Sequence, residues 1–225
     1  MKLVLLHPLP LDGSVFDDDV RALAGECFAP TLYGFGDDIE AWARGVLDVV
    51  GDGPLVVVGN SIGGSCAIEL ALLAPTKVRA LVLSGAKPGH RPEPDLRDRA
   101  LRDIEENGLY SAWQRYWLPL FGPSASPEVI RRSWEIAERL GPDSVATGVR
   151  VFHSRPDREA FLAMWPRPVR VICGEYDIRP ERALALAAGL PSATFHLVRN
   201  SGHYVPIERP KDLVEVVAEA LAAAR

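Results

Sequence analysis

The sequence predicts an α/β protein in which about six mainly parallel strands are flanked by helices. Short apolar runs rich in β-branched residues recur along the chain, and they alternate with segments of helical spacing. One of these runs, 56–58, leads directly into the turn Gly59-Asn60-Ser61-Ile62-Gly63, and helix-prone sequence follows it. Strands that alternate with helices form a parallel sheet with right-handed crossovers.

Each strand and helix in the first half of the chain is predicted from its own local sequence pattern. The apolar run 2–6, which ends at His7-Pro8, predicts a buried parallel strand. Helical spacing over 15–24 predicts a helix. Asp37 and Asp38 begin an amphipathic helix that extends to residue 50, because acidic residues suit the positive N-terminal end of a helix. This half is completed by the strands 27–30, 55–58 and 80–83 and by the helix 65–73.

The alternation resumes in the last third of the chain. An apolar run predicts the fifth strand at 169–173, and a helix follows at 181–188. The sixth strand is predicted at 194–198. A helix at 211–224 follows it, so the two last strands repeat the strand–helix order of the first half.

The alternation fails once, over residues 87–167, which are called the inserted segment below. This segment opens with Pro88, Pro92 and Pro94, and its pattern predicts no strand. Its helical patterns cover 96–107, 109–117, 127–140, 143–153 and 157–165. A long helical insertion after the fourth strand predicts a lid over the C-terminal edge of the sheet, where open α/β sheets bind ligands. We therefore predict a core domain of residues 1–86 and 168–225 and a lid of residues 87–167.

Length and charge restrict the class of protein. The 225 residues, 48% of them apolar, suffice for one domain with an insertion, and the mean hydropathy of +0.04 is ordinary for a globular chain. A formal charge of −5 provides no basic surface for nucleic acid. The apolar run at residues 1–6 is too short for a signal peptide or a membrane span, so we expect a cytoplasmic protein without membrane contact.

The three cysteines indicate neither a disulfide framework nor a metal site. Cys27, Cys66 and Cys173 are odd in number and far apart, and none belongs to a Cys-x-x-Cys motif. We expect them to be small buried hydrophobic residues.

The turn around Ser61 has the layout of a nucleophile elbow. A serine on a sharp strand-to-helix turn holds its hydroxyl clear of the backbone. Gly59 and Gly63 have no side chains, so neighbouring segments can approach closely. The helix that follows directs backbone N–H groups and its positive dipole end at the reaction centre. The alternative interpretation is a glycine-rich turn with a solvated serine.

A serine hydroxyl becomes a nucleophile when a base takes its proton, and a histidine oriented by a buried carboxylate serves this role. The five histidines of the chain are His7, His90, His153, His196 and His203. His203 is the candidate base, because it lies in the loop directly after the last predicted strand. His196 is predicted to be a packed or edge residue of that strand. His90 and His153 are predicted to face solvent from the inserted segment.

The carboxylate is expected at the end of another strand, where Gly174-Glu175-Tyr176-Asp177 offers two candidates. Asp177 is preferred because it lies deeper in the loop and because the shorter acid suits a fixed hydrogen bond to an imidazole. Glu175 is the second choice. Alternatively, Asp177 is a turn residue or the N-cap of the helix near Pro180. The chain order Ser61, Asp177, His203 is the order expected on this type of sheet.

A tetrahedral oxyanion also needs hydrogen-bond donors. One candidate is the backbone N–H of Ile62, the residue after the serine. The second is expected after the first strand, where Pro8 and Pro10 have no N–H and leave Leu9 as the donor between them. The prolines also stiffen this loop, which is alternatively a rigid connection with no catalytic part.

These segments resemble the α/β-hydrolase superfamily across nearly the whole chain. The resemblance rests on the first strand with its His7-Pro8 loop, the Ser61 turn, the Asp177 loop and the segment 201–210. Within the superfamily the chain is most similar to small lidded esterases and lactonases such as the 3-oxoadipate enol-lactonases, and to related carbon–carbon hydrolases. It departs from the family pattern in Pro8, which replaces a glycine, and in the short loop after Asp177. An N-terminal hairpin has no room, so six strands are expected rather than eight.

The residues and the resemblance together imply a serine hydrolase that cleaves a small carboxylic ester or lactone, with no metal and no organic cofactor. A serine in place of an aspartate at the elbow disfavours a dehalogenase. A carbon–carbon bond hydrolase or a lyase is the alternative among enzymes. A non-catalytic ligand-binding protein of the same fold is the alternative outside them. The natural substrate and the oligomeric state stay open.

Aromatic and basic residues of the inserted segment are candidates for substrate contact. Trp113, Trp117 and Phe121 are predicted to line the acyl pocket, the alternative being that they pack the segment on itself. Four arginines either clamp an anionic substrate or form solvated helix faces, and the second interpretation is favoured. They are Arg97, Arg99, Arg102 and Arg115.

Overall fold

The computed structural model describes residues 1–89 and 93–225, and one parallel sheet of six strands forms its centre. The strands are β1 (Lys2–Leu6), β2 (Glu26–Phe28), β3 (Leu55–Asn60), β4 (Val78–Ser84), β5 (Val169–Gly174) and β6 (Ala193–Val198). All neighbouring pairs are parallel. The predicted fold class is therefore confirmed, and each strand boundary lies within two residues of the predicted one.

The strand order is β2-β1-β3-β4-β5-β6, which determines where a crevice can open. From β1 the chain moves outward to β2, and it then returns to the other side of β1 to form β3. The connections after β1 and β3 thus lead in opposite directions, and a crevice forms between them at the carboxyl ends of the strands. Ser61 directly follows β3, so it lies at this crevice.

The helices of the core domain lie close to their predicted positions. They are α1 (Asp18–Arg21), α2 (Ile39–Val50), α3 (Ile62–Leu73), α7 (Pro180–Ala188), α8 (Val205–Glu208) and α9 (Pro210–Ala223). The helix predicted at 15–24 is instead a 3-10 turn, Gly13–Val15, followed by the single turn of α1. Asp12 and Asp17 explain the interruption, because each carboxylate caps its own turn by accepting a backbone N–H two residues later.

The inserted segment lies between β4 and β5 and is helical wherever it has regular structure in the described residues. It contains α4 (Pro94–Ala112), α5 (Pro127–Ser154) and α6 (Glu159–Ala163), with a π-helical turn at Trp113–Trp117. Gly108 and Gly141 kink α4 and α5 with φ of 82° and 77°, which side chains other than glycine rarely adopt. These kinks coincide with the predicted breaks between helical patterns. The predictions for His90 and Pro92 lie outside the described residues.

Polar contacts attach the inserted segment to the rest of the chain near its C-terminal end and in its middle. Glu69 of α3 binds Arg158 through two hydrogen bonds of 2.8 and 2.9 Å, and the Glu69 side chain is only 2% exposed. Arg139 of α5 reaches Asp12, which follows the β1 loop, at 2.9 Å. The carbonyl of Leu120 accepts the backbone N–H of His203 at 2.8 Å. The inserted segment thereby touches the loops that carry the predicted site.

The cysteines are placed as predicted with one difference. Cys66 and Cys173 are buried, and burial raises the pKa of both thiols, that of Cys173 to about 12. Cys27 is only half-buried, because β2 lies at the edge of the sheet. His196 of the opposite edge strand is half-buried and 2.9 Å from Thr194 Oγ1, in keeping with an edge histidine. In the described part of the chain, no helix combines the length and apolarity that crossing a membrane requires.

Candidate active site

Ser61 occupies a strained turn between β3 and α3. Its φ of 56° and ψ of −118° are unusual for a residue with a side chain, and α3 begins directly after it rather than at residue 65 as predicted. A Cβ on Gly59 would lie 2.3 Å from the Gly63 carbonyl oxygen, and a Cβ on Gly63 would lie 2.2 Å from that of Leu6. Both glycines are therefore needed for the close approach of β1, β3 and α3. This geometry matches the elbow that the sequence predicts.

His203 and Asp177 are in direct contact at the ends of neighbouring strands. Nδ1 of His203 lies 2.8 Å from Oδ1 of Asp177, and the two side chains are 6% and 7% exposed. Burial alone would raise the pKa of Asp177. The nearby His203 and the hydrogen bonds from His203, Ile178 and Cys173 outweigh burial, so its pKa lies below the usual value and the carboxylate stays ionised at neutral pH.

Glu175, the second choice for the carboxylate, points to a different group. Its Oε1 binds Arg199 at 2.8 Å, and its Oε2 accepts the backbone N–H of Asn200 at 3.0 Å. Those two contacts lower its pKa. Of the two candidates, Asp177 is the one that the structure brings to His203.

Both predicted oxyanion donors belong to residues near Ser61, one in the chain and one in the cavity. Ile62 is the first residue of α3, and Leu9 lines the same cavity as Ser61. The Leu9 carbonyl accepts the hydroxyl of Tyr204 at 3.2 Å. Its side chain lies against Gly148 of α5, where a Cβ would come within 2.5 Å of Leu9 Cδ1. Tyr204 thus contacts the Leu9 backbone, and Gly148 of the inserted segment contacts the Leu9 side chain.

His7 fixes the loop that carries Leu9, a role that the sequence did not reveal. Its Nε2 accepts the backbone N–H of Leu32 at 2.9 Å, so the proton of the neutral ring is on Nδ1, which donates to the Pro8 carbonyl at 3.1 Å. Complete burial lowers the pKa of His7 to about 4. A neutral, fully hydrogen-bonded imidazole therefore pins the start of the loop to the 3-10 turn Leu32–Phe35.

We expect His7 to make the stability of the protein depend on pH. Its pKa is about 4 in the folded chain and near 6.5 in the unfolded chain, so the unfolded chain takes up the proton first as the pH falls. Its stabilisation is complete above pH 6.5, and acidification toward pH 4 removes about 3 kcal/mol from the free energy of unfolding. Urea unfolding should show about 2 kcal/mol of this loss between pH 7 and 5 in the wild type and none of it in His7→Gln, whose amide oxygen can still accept the Leu32 N–H. The His196→Gln control should keep the wild-type dependence, and equal slopes for the wild type and His7→Gln would contradict the assignment.

Glu208 organises the His203 loop, a role that no local sequence pattern assigned to it. Its buried carboxylate accepts the backbone N–H groups of Gly202, Tyr204 and Gly122 at 2.9 to 3.1 Å. Two of these groups flank His203, and the third belongs to the inserted segment. One carboxylate thus joins the histidine loop to the segment above it.

Replacing Glu208 by alanine should weaken both folding and catalysis. The substitution leaves buried N–H groups without an acceptor, so the free energy of unfolding should fall by at least about 2 kcal/mol. The kcat/KM for an aryl ester should fall about ten-fold, because His203 loses a fixed position. Urea unfolding and steady-state kinetics measure the two effects. Glu215→Ala on the exposed face of α9 is the matched control, and losses no larger than those of the control would disprove the role.

Asn60, the residue before Ser61, connects three loops. Its buried Nδ2 donates to the carbonyls of Ser84 and His203 at 3.0 Å each. The motif treats this position as variable, so the pattern alone assigned it no role. In the structure Asn60 holds the ends of β3 and β4 and the His203 loop together.

A cavity of about 190 Å³ is lined by Ser61 and His203 and also by residues of the inserted segment. Of the predicted pocket residues, Trp117 lines it. Trp113 and Phe121 do not, since their rings pack against each other at 5.9 Å and Phe121 also contacts Tyr204. For these two residues the packing alternative fits the geometry. His153, predicted to face solvent, is half-buried and lines the cavity instead, because the second part of α5 runs along it.

The four arginines considered for substrate binding do not line this cavity. Arg97 pairs with Asp98, and Arg115 binds Asp103 at 2.8 Å. Asp103 also accepts the hydroxyl of Tyr116, whose ring does line the cavity. Arg115 therefore helps to position a cavity residue from the outside. Over residues 1–89 and 93–225, no group of three or more potential metal ligands is found.

The doubly wound sheet, the strained serine and the adjoining Asp177–His203 pair define an α/β hydrolase. The model of the alpha/beta hydrolase family matches residues 3–216, and the chain belongs to this family. The family resemblance predicted from the sequence is confirmed.

The curated relatives of this chain include proteins named as synthases and as hydrolases. The putative 2-succinyl-6-hydroxy-2,4-cyclohexadiene-1-carboxylate synthase of Bacillus subtilis (strain 168) is 33% identical over 184 residues, which is 74% of this chain and 65% of that protein. Its counterpart in Enterobacter sp. (strain 638) is 30% identical over 73% of this chain and 66% of its own length. This chain thus spans just under two thirds of the length of these two relatives. The 2-hydroxymuconate semialdehyde hydrolase of Pseudomonas putida is 28% identical over 87% of this chain and 76% of its own length.

Similar solved structures include esterases and lactonases. A thermophilic esterase from Thermogutta terrifontis, solved with malate bound, has a TM-score of 0.88 and 25% identity, covering 100% of this chain and 90% of its own. The enol-lactonase from Burkholderia xenovorans LB400 has a TM-score of 0.84 and 19% identity, with coverages of 98% and 91%. The second likeness is one of fold alone.

Proposed function

We propose that this protein is a serine hydrolase that cleaves a small carboxylic ester or lactone through an acyl-enzyme. The observation that carries the proposal is the 2.8 Å contact between Asp177 and Nδ1 of His203, at a cavity that Ser61 also lines. With Nδ1 engaged by the carboxylate, Nε2 of His203 is the nitrogen left to accept the proton of a serine hydroxyl. This division of roles is the one that activates serine for nucleophilic attack.

In the proposed reaction, Oγ of Ser61 attacks the substrate carbonyl while Nε2 of His203 takes the hydroxyl proton. Asp177 stabilises the imidazolium and holds one tautomer. The backbone N–H groups of Leu9 and Ile62 stabilise the oxyanion. His203 then returns the proton to the leaving oxygen, and the carbon–oxygen bond breaks. A water molecule, deprotonated by the same histidine, attacks the acyl-enzyme. The bond from the acyl carbon to Oγ of Ser61 breaks, His203 returns the proton to Oγ, and the acid is released.

The proposal includes a lid formed by residues 87–167 over a core of residues 1–86 and 168–225. It is supported by Tyr116, Trp117 and Phe152, which contribute apolar walls to the cavity from the inserted segment. An apolar cover excludes water from the reacting carbonyl and strengthens the hydrogen bonds that stabilise charge there.

The similarity to the Thermogutta terrifontis esterase supports ester hydrolysis. That esterase is 25% identical to this chain over its whole length. A cavity of about 190 Å³ accommodates a small substrate. The bound malate of the esterase structure shows that an organic acid enters that protein.

Carbon–carbon bond hydrolysis or a lyase reaction is the second candidate function. The names of the Bacillus subtilis and Pseudomonas putida relatives favour it. A serine, histidine and aspartate can serve this chemistry too, and the residues of the inserted segment select the substrate. The two candidates therefore differ in substrate, and the predicted roles of the three core residues are shared.

A substrate panel distinguishes the candidates. The purified protein is assayed with p-nitrophenyl acyl esters, with γ- and δ-lactones, and with a vinylogous diketone that only carbon–carbon cleavage consumes. We expect turnover of esters or lactones and, by mass spectrometry, labelling of Ser61 by a fluorophosphonate. Turnover of the diketone alone would establish the second candidate. Absence of turnover and of labelling in the folded protein would favour a non-catalytic binding protein.

A further inference from the structure

Two cationic side chains meet at the ring of Phe152 on the wall of the catalytic cavity. Nζ of Lys87 lies 5.8 Å from the ring centroid, and the guanidinium carbon of Arg155 lies 4.1 Å from it. Lys87 and Phe152 line the cavity that contains Ser61. Lys87 and Arg155 also line a second, small cavity of about 10 Å³, which has room for about one water molecule. The two cavities therefore adjoin at Lys87.

Neither cation is neutralised by a carboxylate. In the described ranges 1–89 and 93–225, no carboxylate oxygen lies within 4.0 Å of the Lys87 or Arg155 nitrogens. By contrast Arg158, which also lines the second cavity, is paired with Glu69. The residues between those ranges, 90–92, are His-Arg-Pro and have no carboxylate to offer. Arg155 is 5% exposed, and its Nε is buried without a hydrogen-bond partner among the described atoms.

Burial disfavours the charged form of both side chains. Burial lowers the pKa of Arg155 to about 10. Partial burial, and then repulsion from Arg155, lower the pKa of Lys87, although more than a third of Lys87 stays exposed to the cavity and solvent. Glu93 at the cavity wall raises the pKa of both side chains, and Asp177 raises that of Lys87. Two like charges so close together gain from a bound anion.

We propose that Lys87 and Arg155 form a carboxylate-binding subsite, and that the ester or lactone attacked by Ser61 carries a carboxylate at this end of the cavity. This inference rests on the proposed function, because it concerns the substrate of the same site. The exposed ammonium of Lys87 contacts the carboxylate from the catalytic cavity. The buried guanidinium of Arg155, 4.1 Å from the centroid of the Phe152 ring, adds a second positive charge at this end of the cavity.

A pair of esters with the same leaving group tests the subsite. The kcat/KM of p-nitrophenyl butyrate, which is neutral, is compared with that of mono-p-nitrophenyl glutarate, which carries an acyl carboxylate. We expect the wild type to prefer the anionic ester. Lys87→Met should lower the ratio of anionic to neutral kcat/KM by about 10- to 100-fold, mainly through KM, since a charged hydrogen bond is lost. Lys87→Arg should restore most of the ratio, because the charge returns.

Arg102→Met is the matched control, because it removes one positive charge from an exposed position of α4 that does not line either cavity. Its ratio should stay within about two-fold of the wild type, as expected for a distant screened charge. An unchanged ratio in Lys87→Met, or an equal fall in Arg102→Met, would overturn the subsite. Thermal unfolding verifies that each variant is folded.

The subsite can fail independently of the proposed function. Turnover of the neutral ester that depends on Ser61, together with no preference for the anionic one, would leave the hydrolase and refute the subsite. If the wild type hydrolysed neither ester, titration calorimetry with glutarate would decide. Binding at least about ten-fold weaker in Lys87→Met than in the wild type would support the subsite, and absence of binding to the wild type would refute it.

Discussion

Replacing Ser61 by alanine should lower the kcat for an aryl ester by about a million-fold, because the attacking atom is removed and nothing at the elbow replaces it. The binding cavity and the oxyanion donors remain, so a small residual rate above that of water is expected. The fold should persist, since a methyl group occupies less space than the hydroxymethyl and the φ of 56° is a property of the turn. Stopped assays at high enzyme concentration measure the residual rate, and circular dichroism verifies the fold.

The matched control is Ser192→Ala, which removes the hydroxyl of an exposed serine before β6. It should retain the wild-type rate within about two-fold, as surface substitutions usually do. A folded Ser61→Ala protein with activity near that of the control would refute the proposed mechanism. It would leave His203 as a base that activates water directly.

Asp177→Asn should lower kcat by about 10⁴-fold while leaving KM almost unchanged. In the wild type the carboxylate accepts the Nδ1 proton of His203 across 2.8 Å. An asparagine amide facing Nδ1 donates instead, which moves the ring proton to Nε2 and removes the acceptor that the serine hydroxyl needs. The loss should diminish as the pH rises and hydroxide replaces the general base. A pH–rate profile of kcat therefore tests the tautomer explanation as well as the magnitude.

Glu175→Gln is the matched control for this variant, since it neutralises the other acid of the same loop. Glu175 binds Arg199 and the Asn200 N–H rather than His203. We expect its kcat to change by less than about three-fold, because an exposed ion pair contributes little. Comparable losses in the two variants would show that the loop as a whole, rather than the Asp177 carboxylate, supports catalysis.

Much of the fold follows from local signals. The strand β3 contains three consecutive valines, and such runs predict the sheet because strands buried on both faces are rich in apolar β-branched residues. The breaks at Gly108 and Gly141 were visible because glycine is the residue that adopts positive φ readily. The interrupted helix after the β1 loop was missed. The capping carboxylates of Asp12 and Asp17 override a helical spacing that the apolar residues alone suggest.

Part of the candidate site also follows from local signals, and the rest depends on the fold. The elbow around Ser61 is a local feature, and the order Ser61, Asp177, His203 follows from where parallel strands end. Chain spacing cannot show which of Glu175 and Asp177 reaches the imidazole, because both lie in one short loop and only the fold sets their directions. The His7, Asn60 and Glu208 anchors join residues far apart in sequence, and no local pattern marks such pairs.

The sequence by itself determined the sheet, the serine elbow and the family, because hydrophobic period and turn chemistry act over a few residues. The tertiary structure alone decided which acid contacts His203, which aromatic side chain reaches the cavity, and that Lys87 and Arg155 pair with no carboxylate in the described part of the chain. These three outcomes depend on the distances between chain segments that are far apart in sequence and that the inserted helices bring together. The charge balance at a cavity wall depends on all the segments that pack there, so no local sequence pattern predicts it.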